Sequence, residues 1–371
     1  MYLLFNIYNN AYASDLILKQ SETIGIKSYL NEMDTYVNDQ YDVDLNNIFS
    51  NLINGDLEKE KSNIFSKILN SFSSEFKDAL SLIGKILIIV VISSLLSNLT
   101  NSFSNNSITN ICFFIAYISI IIIVMTSFNG ILDITKNTLK NANTFMYSTI
   151  PIMFTLIFTT GSFVTANVFQ PILIFLIQIT NVLINNILLP VILIFTVLNV
   201  VSNITEKDQL GRLAKFLKST TIWALGLSLT ILVGFMSLEG TLSSSIDGLT
   251  TKTTKAAVTN FVPVVGKILA DSVDTVLGST VVLKNALGFL VVIVIILVCL
   301  SPILKIAILM GMYYFTSAII EPIVDTKIIK AITTTADSLK LILAILISVI
   351  SMYIISITLI IKISNFTLTY R

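Results

Sequence analysis

The sequence predicts an all-α, polytopic helical membrane protein. Hydrophobic residues make up 54% of the 371-residue chain and mean hydropathy is +0.86, more apolar surface than a soluble domain can hide. From residue 81 onward, apolar runs approach the ~20 residues that cross a bilayer. Only 12% of residues are charged, and they cluster between those runs. Lipid cannot satisfy free backbone N–H and C=O groups, so the runs are read as helices.

Composition also excludes chemistry. There is no histidine, which removes Ser-His and Cys-His nucleophilic sites, H-E-x-x-H zinc sites and His-ligated metals. Cys112 and Cys299 lie in apolar runs and read as small hydrophobes, with no disulfide or metal pair expected. Gly84-Lys85-Ile86 and Gly266-Lys267-Ile268 lack the loop and hydroxyl of a nucleotide-binding G-x-x-x-x-G-K-[ST]. No catalytic residue, cofactor or metal is expected. The net charge of +1 carries no nucleic-acid signal.

At the start, "MYLLFNIYNNAYASD" places a short apolar run before Ala11-Tyr12-Ala13, an A-x-A-like cleavage pattern. Residues 1–13 are read as a short signal sequence. A basic n-region is missing, so an attached N-terminal helix is the other reading. Residues 14–80 hold 12 Asp/Glu and six Lys, a net of −6. Within them Ile64, Phe65, Ile68, Leu69, Phe72, Phe76 and Leu80 keep helical spacing, which predicts an amphipathic helix running into the membrane. Residues 14–80 are therefore expected to form a small acidic helical extracytoplasmic domain.

Residues 81–371 are expected to form the membrane domain, with about eight or nine spans. They fall near 83–99, 110–128, 166–186, 187–204, 220–239, 285–301, 303–320 and 341–361. The run 144–160 is short and carries Pro151, so it either spans or only dips in. Short loops carry Lys/Arg on both sides; "TEKDQLGRLAKFLKST" is the best cytoplasmic candidate. Lys85 and Lys305, near span ends, are expected to snorkel. Gly226, Gly234, Ala307 and Gly311 are small residues suited to close helix packing.

Pro151 and Pro190 are 39 residues apart, and so are Pro263 and Pro302. Laying one pair on the other aligns Thr138 with Thr250 and Lys140 with Lys252. Two readings follow: an inverted internal repeat, common among transporters with binding at the repeat interface, or coincidence among six prolines. Pro151, Pro190, Pro263, Gly266 and Pro302 are the candidate hinge and packing residues.

The segment 241–283 interrupts the membrane pattern. Over 258–277, Val258, Phe261, Val262, Val265, Ile268, Leu269, Val273, Val276 and Leu277 take one helix face. Asn260, Lys267, Asp271 and Asp274 take the other. Threading three charges through hydrocarbon would cost about 2.5–3.5 kcal/mol each. The segment near 256–280 is therefore expected to be an amphipathic, non-spanning helix. Its polar face is either a solvated interfacial surface or a face turned to a pore or partner.

The stretch "SIDGLTTKTTKAAVTNFVPVVGKILADSVDTVLGSTVVLKNALG" (245–288) resembles the most characteristic region of the stage III sporulation protein AE family. The matching residues are Asp247, Gly248, Thr250, Asn260, Phe261, Pro263, Val264, Gly266, Asp271, Asp274, Thr275, Val276, Lys284 and Asn285. Residues 168–206 and "LINGD" (52–56) are similar to further family segments, so the resemblance covers most of the chain. Gln170 stands where the family tends to histidine.

The resemblance implies a non-enzymatic integral membrane component of a channel or secretion-like complex between mother cell and forespore. It implies a place in the mother-cell-derived membrane around the forespore. Implied partners are the other stage III sporulation A-complex proteins, among them an ATPase and ring-forming subunits, and stage II sporulation protein Q. A homo-oligomer is compatible with it. The alternative function is a secondary transporter of a small solute, coupled to an ion through Asp271 or Asp274.

Overall fold

A computed structural model describes residues 21–22, 24–41, 44–54, 61–102, 106–160, 162–202, 210–235 and 265–369. The signal-sequence expectation for 1–13, and Asn260 and Pro263, lie outside these residues. Among the described residues every regular element is helical. Two short helices open the chain, α1 (Ile26–Tyr41) and α2 (Leu45–Asn54). Long helices follow: α3 (Lys61–Ser102), α4 (Asn106–Thr159), α5 (Phe163–Leu183), α6 (Leu189–Ser202), α7 (Gly211–Phe235), α8 (Val265–Ile320) and α9 (Thr326–Thr369). A five-residue π turn, Ile184–Leu188, joins α5 to α6 without a break.

Six stretches among the described residues are long and apolar enough to cross a membrane: Phe72–Leu95, Ile111–Thr159, Ala166–Ser202, Gly211–Phe235, Leu277–Ile320 and Thr326–Lys362. The protein is a multi-pass, all-α membrane protein. Several runs that sequence separates lie end to end on one helix. Residues 110–128 and 144–160 share α4; 166–186 and 187–204 share most of the α5–α6 rod; 285–301 and 303–320 share α8.

Proline does not break these rods. Pro151 lies inside α4 on its exposed side, and Pro302 is buried inside α8. Each removes one i→i−4 hydrogen bond, a loss that neighbouring helices can absorb in an apolar bundle. At Pro190 the backbone adjusts instead. The Leu189 N–H reaches back five residues to the Ile184 carbonyl, and the wider turn accommodates the ring. The helix boundaries do not follow the proposed repeat. The break at 160–162 would correspond to 272–274, which lie inside α8.

The core is built on α8, which packs against α9, α3 and α4, while α4 also packs against α3, α5 and α9. Leu283, Leu287, Leu290, Val291, Val294 and Ile306 of α8 are fully buried, as are Ile342, Ile345 and Leu346 of α9. The acidic N-terminal helices dock on this core. The Tyr29 hydroxyl meets the Thr149 hydroxyl of α4, and burial raises the Tyr29 phenol pKa well above its ordinary value. The expected amphipathic run at 62–80 is the beginning of α3, continuous with its apolar half.

The small residues expected at helix contacts behave differently. A Cβ added at Gly226, Gly234 or Gly311 would meet no other atom within 4 Å. The close approach falls at Gly288, where an added Cβ would run into the Ile361 side chain of α9 and touch Met153 of α4. Sequence spacing identifies small residues but not which of them faces a neighbour.

Gly288→Val is expected to overfill the α8–α9–α4 contact and cost about 1–3 kcal/mol. Gly311→Ala should be neutral or slightly stabilising, because helix propensity improves and space is open. Thermal unfolding of the two variants in the same detergent checks the contrast.

Candidate functional site

Many buried Ser and Thr hydroxyls bond carbonyls of their own helix, whereas the long-range polar contacts gather at helix seams. The first seam joins α4 to α5 and α9. Lys136, Lys140, Asn143 and Tyr147 succeed one another by four, three and four residues, so they form one stripe along α4. Facing them are Gln178, Asn181 and Asn185 at steps of three and four on α5 and the π turn. Tyr147 donates its hydroxyl proton to Gln178 Oε1, Tyr353 of α9 donates to Asn143 Oδ1, and Asn185 Nδ2 donates to Asn181 Oδ1.

Between these walls lies an open cleft of about 530 Å³. Lys136, Asn137, Lys140, Asn143, Thr144 and Tyr147 line one side; Asn181, Asn185 and Asn186 line the other. Asn143 is only 4% exposed, and its Nδ2 has no protein partner; the same holds for the buried Oδ1 of Asn185. The π turn adds backbone acceptors. Leu189 donates to Ile184, so the Asn185 carbonyl loses its usual helical donor; Pro190 has no N–H for the Asn186 carbonyl.

The second seam joins α3 to α8. Lys305 Nζ lies 3.0 Å from Glu75 Oε2 and 3.2 Å from Oε1. The partly exposed Lys305 head thus meets a carboxylate on the neighbouring helix, a partner that the α8 sequence does not display. The third seam joins α7, α8 and α9 at Asp337. Tyr314 donates to Asp337 Oδ1 at 2.6 Å, and Lys218 Nζ lies 3.4 Å from Oδ2. Next to it Thr196 of α6 donates to Ser338 at 2.7 Å. Finally, Lys284 is fully buried and donates to the Ile361 carbonyl at 2.6 Å.

Of the residues singled out from sequence, Gly266, Lys267, Asp271 and Asp274 lie in the first turns of α8. Their side chains are outside the described set. Pro151 and Pro302 are interior helix residues, and Pro190 follows the π turn. Sequence reasoning missed the α4–α5 cleft, although the stripe of Lys136, Lys140, Asn143 and Tyr147 was a signal for it. No group of three or more metal-ligating side chains occurs among the described residues.

A continuous bundle of apolar helices with polar pairs confined to its seams defines a multi-pass integral membrane protein. The family model for stage III sporulation protein AE matches residues 43–364. Stage III sporulation protein AE of Bacillus subtilis (strain 168) is 30% identical over 303 residues, covering 81% of this chain and 76% of that protein. No solved structure matches. The chain belongs to the stage III sporulation protein AE family and is a membrane protein of sporulation.

Lys305→Met should destabilise the bundle by about 1–2 kcal/mol, because it leaves the Glu75 carboxylate without its cation. The double variant Lys305→Met with Glu75→Leu should recover most of that loss. Thermal midpoints of the two single variants and the double variant form the cycle that checks it.

Proposed function

We propose that this protein is a non-enzymatic membrane subunit of a channel or secretion-like complex between mother cell and forespore, seated in the mother-cell-derived membrane around the forespore. The observation that carries this reading is helix length. The apolar run Leu277–Ile320 has 44 residues, about 66 Å of helix, against about 30 Å of hydrocarbon. Fitting it within one bilayer would require a tilt of about 60°, beyond the ~40° limit seen for membrane helices. Apolar surface that lipid does not reach needs protein over it. Large apolar residues such as Phe158, Phe163, Phe175, Phe289 and Phe315 are exposed on this chain alone. Other stage III sporulation A-complex proteins, including an ATPase and ring-forming subunits, stage II sporulation protein Q and further copies of this chain are the partners this reading implies.

The polar face of Asn260, Lys267, Asp271 and Asp274 is assigned to a pore or a partner. The acidic region 14–80 is placed on the extracytoplasmic side. The test is Asp271→Asn with Asp274→Asn in sporulating cells, read by affinity capture of the protein and by forespore development. Loss of partner capture is the expected outcome. Intact capture with loss of solute flux would replace this reading by the ion-coupled transporter. Cysteine-accessibility labelling at positions 130, 161, 210, 250 and 330 reports which loops share a compartment and counts the crossings. Opposite labelling of corresponding loops is required by the inverted repeat.

A further inference from the structure

We infer that the α4–α5 cleft is a binding site for a phosphate group that carries hydroxyl or amine hydrogen-bond donors. Its α4 wall is cationic. Lys136 and Lys140 stand one turn apart on the same face. Asp133 lies one turn before Lys136 on that helix, but among the described residues no carboxylate lines the cleft itself. Two ammonium groups at the cleft wall suit a phosphate, for which lysine acts as a point charge. At the base, Asn143 is 4% exposed with an Nδ2 that no protein atom accepts, a buried donor awaiting an acceptor oxygen.

The opposite wall has the reverse polarity. The Asn185 Oδ1 is buried without a donor, the Leu189 N–H goes to Ile184 rather than to the Asn185 carbonyl, and Pro190 offers no N–H to the Asn186 carbonyl. A ligand complementary to both walls is an anion at one end and a donor of hydrogen bonds at the other. The Thr144 and Tyr147 hydroxyl protons are already given to Lys140 and Gln178, so those hydroxyls offer only acceptor capacity.

This chemistry has two sources, the headgroup of an anionic phospholipid and a free phosphate ester. Exposed Phe175 and Ile179 before the cleft and Ile187 after it provide apolar surface alongside, which suits acyl chains. The test uses the full-length protein in dodecyl maltoside, with its thermal midpoint as the readout. The probes are added phosphatidylglycerol, phosphatidylcholine and sn-glycerol 3-phosphate.

A bound ligand stabilises by mass action, and a rise of about 2 °C or more is expected with phosphatidylglycerol or with glycerol phosphate. The active probe identifies the source. The rise should vanish in Lys136→Gln with Lys140→Gln, whose lysines are exposed. It should persist in the control Lys330→Gln with Lys340→Gln, whose lysines are also exposed but lie outside the cleft. No rise with either probe, an equal rise with phosphatidylcholine, or the same response in the Lys136/Lys140 variant would overturn the site.

Discussion

A bilayer solvates about 30 Å of apolar helix, and this protein contains rods more than twice that length. α8 has 56 residues and α4 has 54, about 80 Å each if straight. Everything else in the architecture follows from what must cover the excess. Part of it is covered internally. α8 is wrapped by α9, α3 and α4, and about half of the apolar runs of α8 and α9 is buried inside the chain. Part is covered by α1 and α2, whose acidic, water-compatible residues face outward while Ile26, Leu30 and Met33 turn inward. The remainder is open on this chain alone, which is why a multi-subunit assembly is the functional reading the geometry favours.

Polar contacts play a different role. Without a strong hydrophobic drive between helices in lipid, side-chain hydrogen bonds and close packing fix which helix lies beside which. Here each long-range polar contact ties two different helices. Tyr117 donates to the Val200 carbonyl, Tyr353 to Asn143, Thr196 to Ser338, and Lys305 pairs with Glu75. Each is specific to one pair of side chains or backbone groups, so sliding one rod along another by a turn would break several contacts at once. Gly288 contributes by allowing Ile361 to approach where any side chain would hold α9 away. The α4–α5 cleft is the one seam among these where polar groups outnumber their partners, and it coincides with the π turn.

Much of this was legible in the residues. The apolar runs fall on helices, because hydropathy is a local property. The turns around Lys267 are helical, as their periodicity predicts. Helix continuity was not legible. A proline and a few polar residues look the same in sequence whether they end a span or sit inside a longer rod, because the lost hydrogen bond is offset by packing from neighbours that sequence does not show. Lys305 was read from its own helix alone, and its carboxylate lies 230 residues away in the chain. The cleft was visible only as a stripe on α4 and a second stripe on α5.

By itself, the sequence determined that the chain is helical and membrane-bound. Composition and apolar periodicity dictate where surface must avoid water, and lipid admits no unpaired backbone. The absence of histidine settled which catalytic and metal sites are excluded. Only the tertiary structure decided which runs fuse into single rods, which glycine faces a neighbour, and which lysine finds a carboxylate. Those outcomes depend on side chains brought together from distant parts of the chain, and no local pattern encodes the distance between two helices.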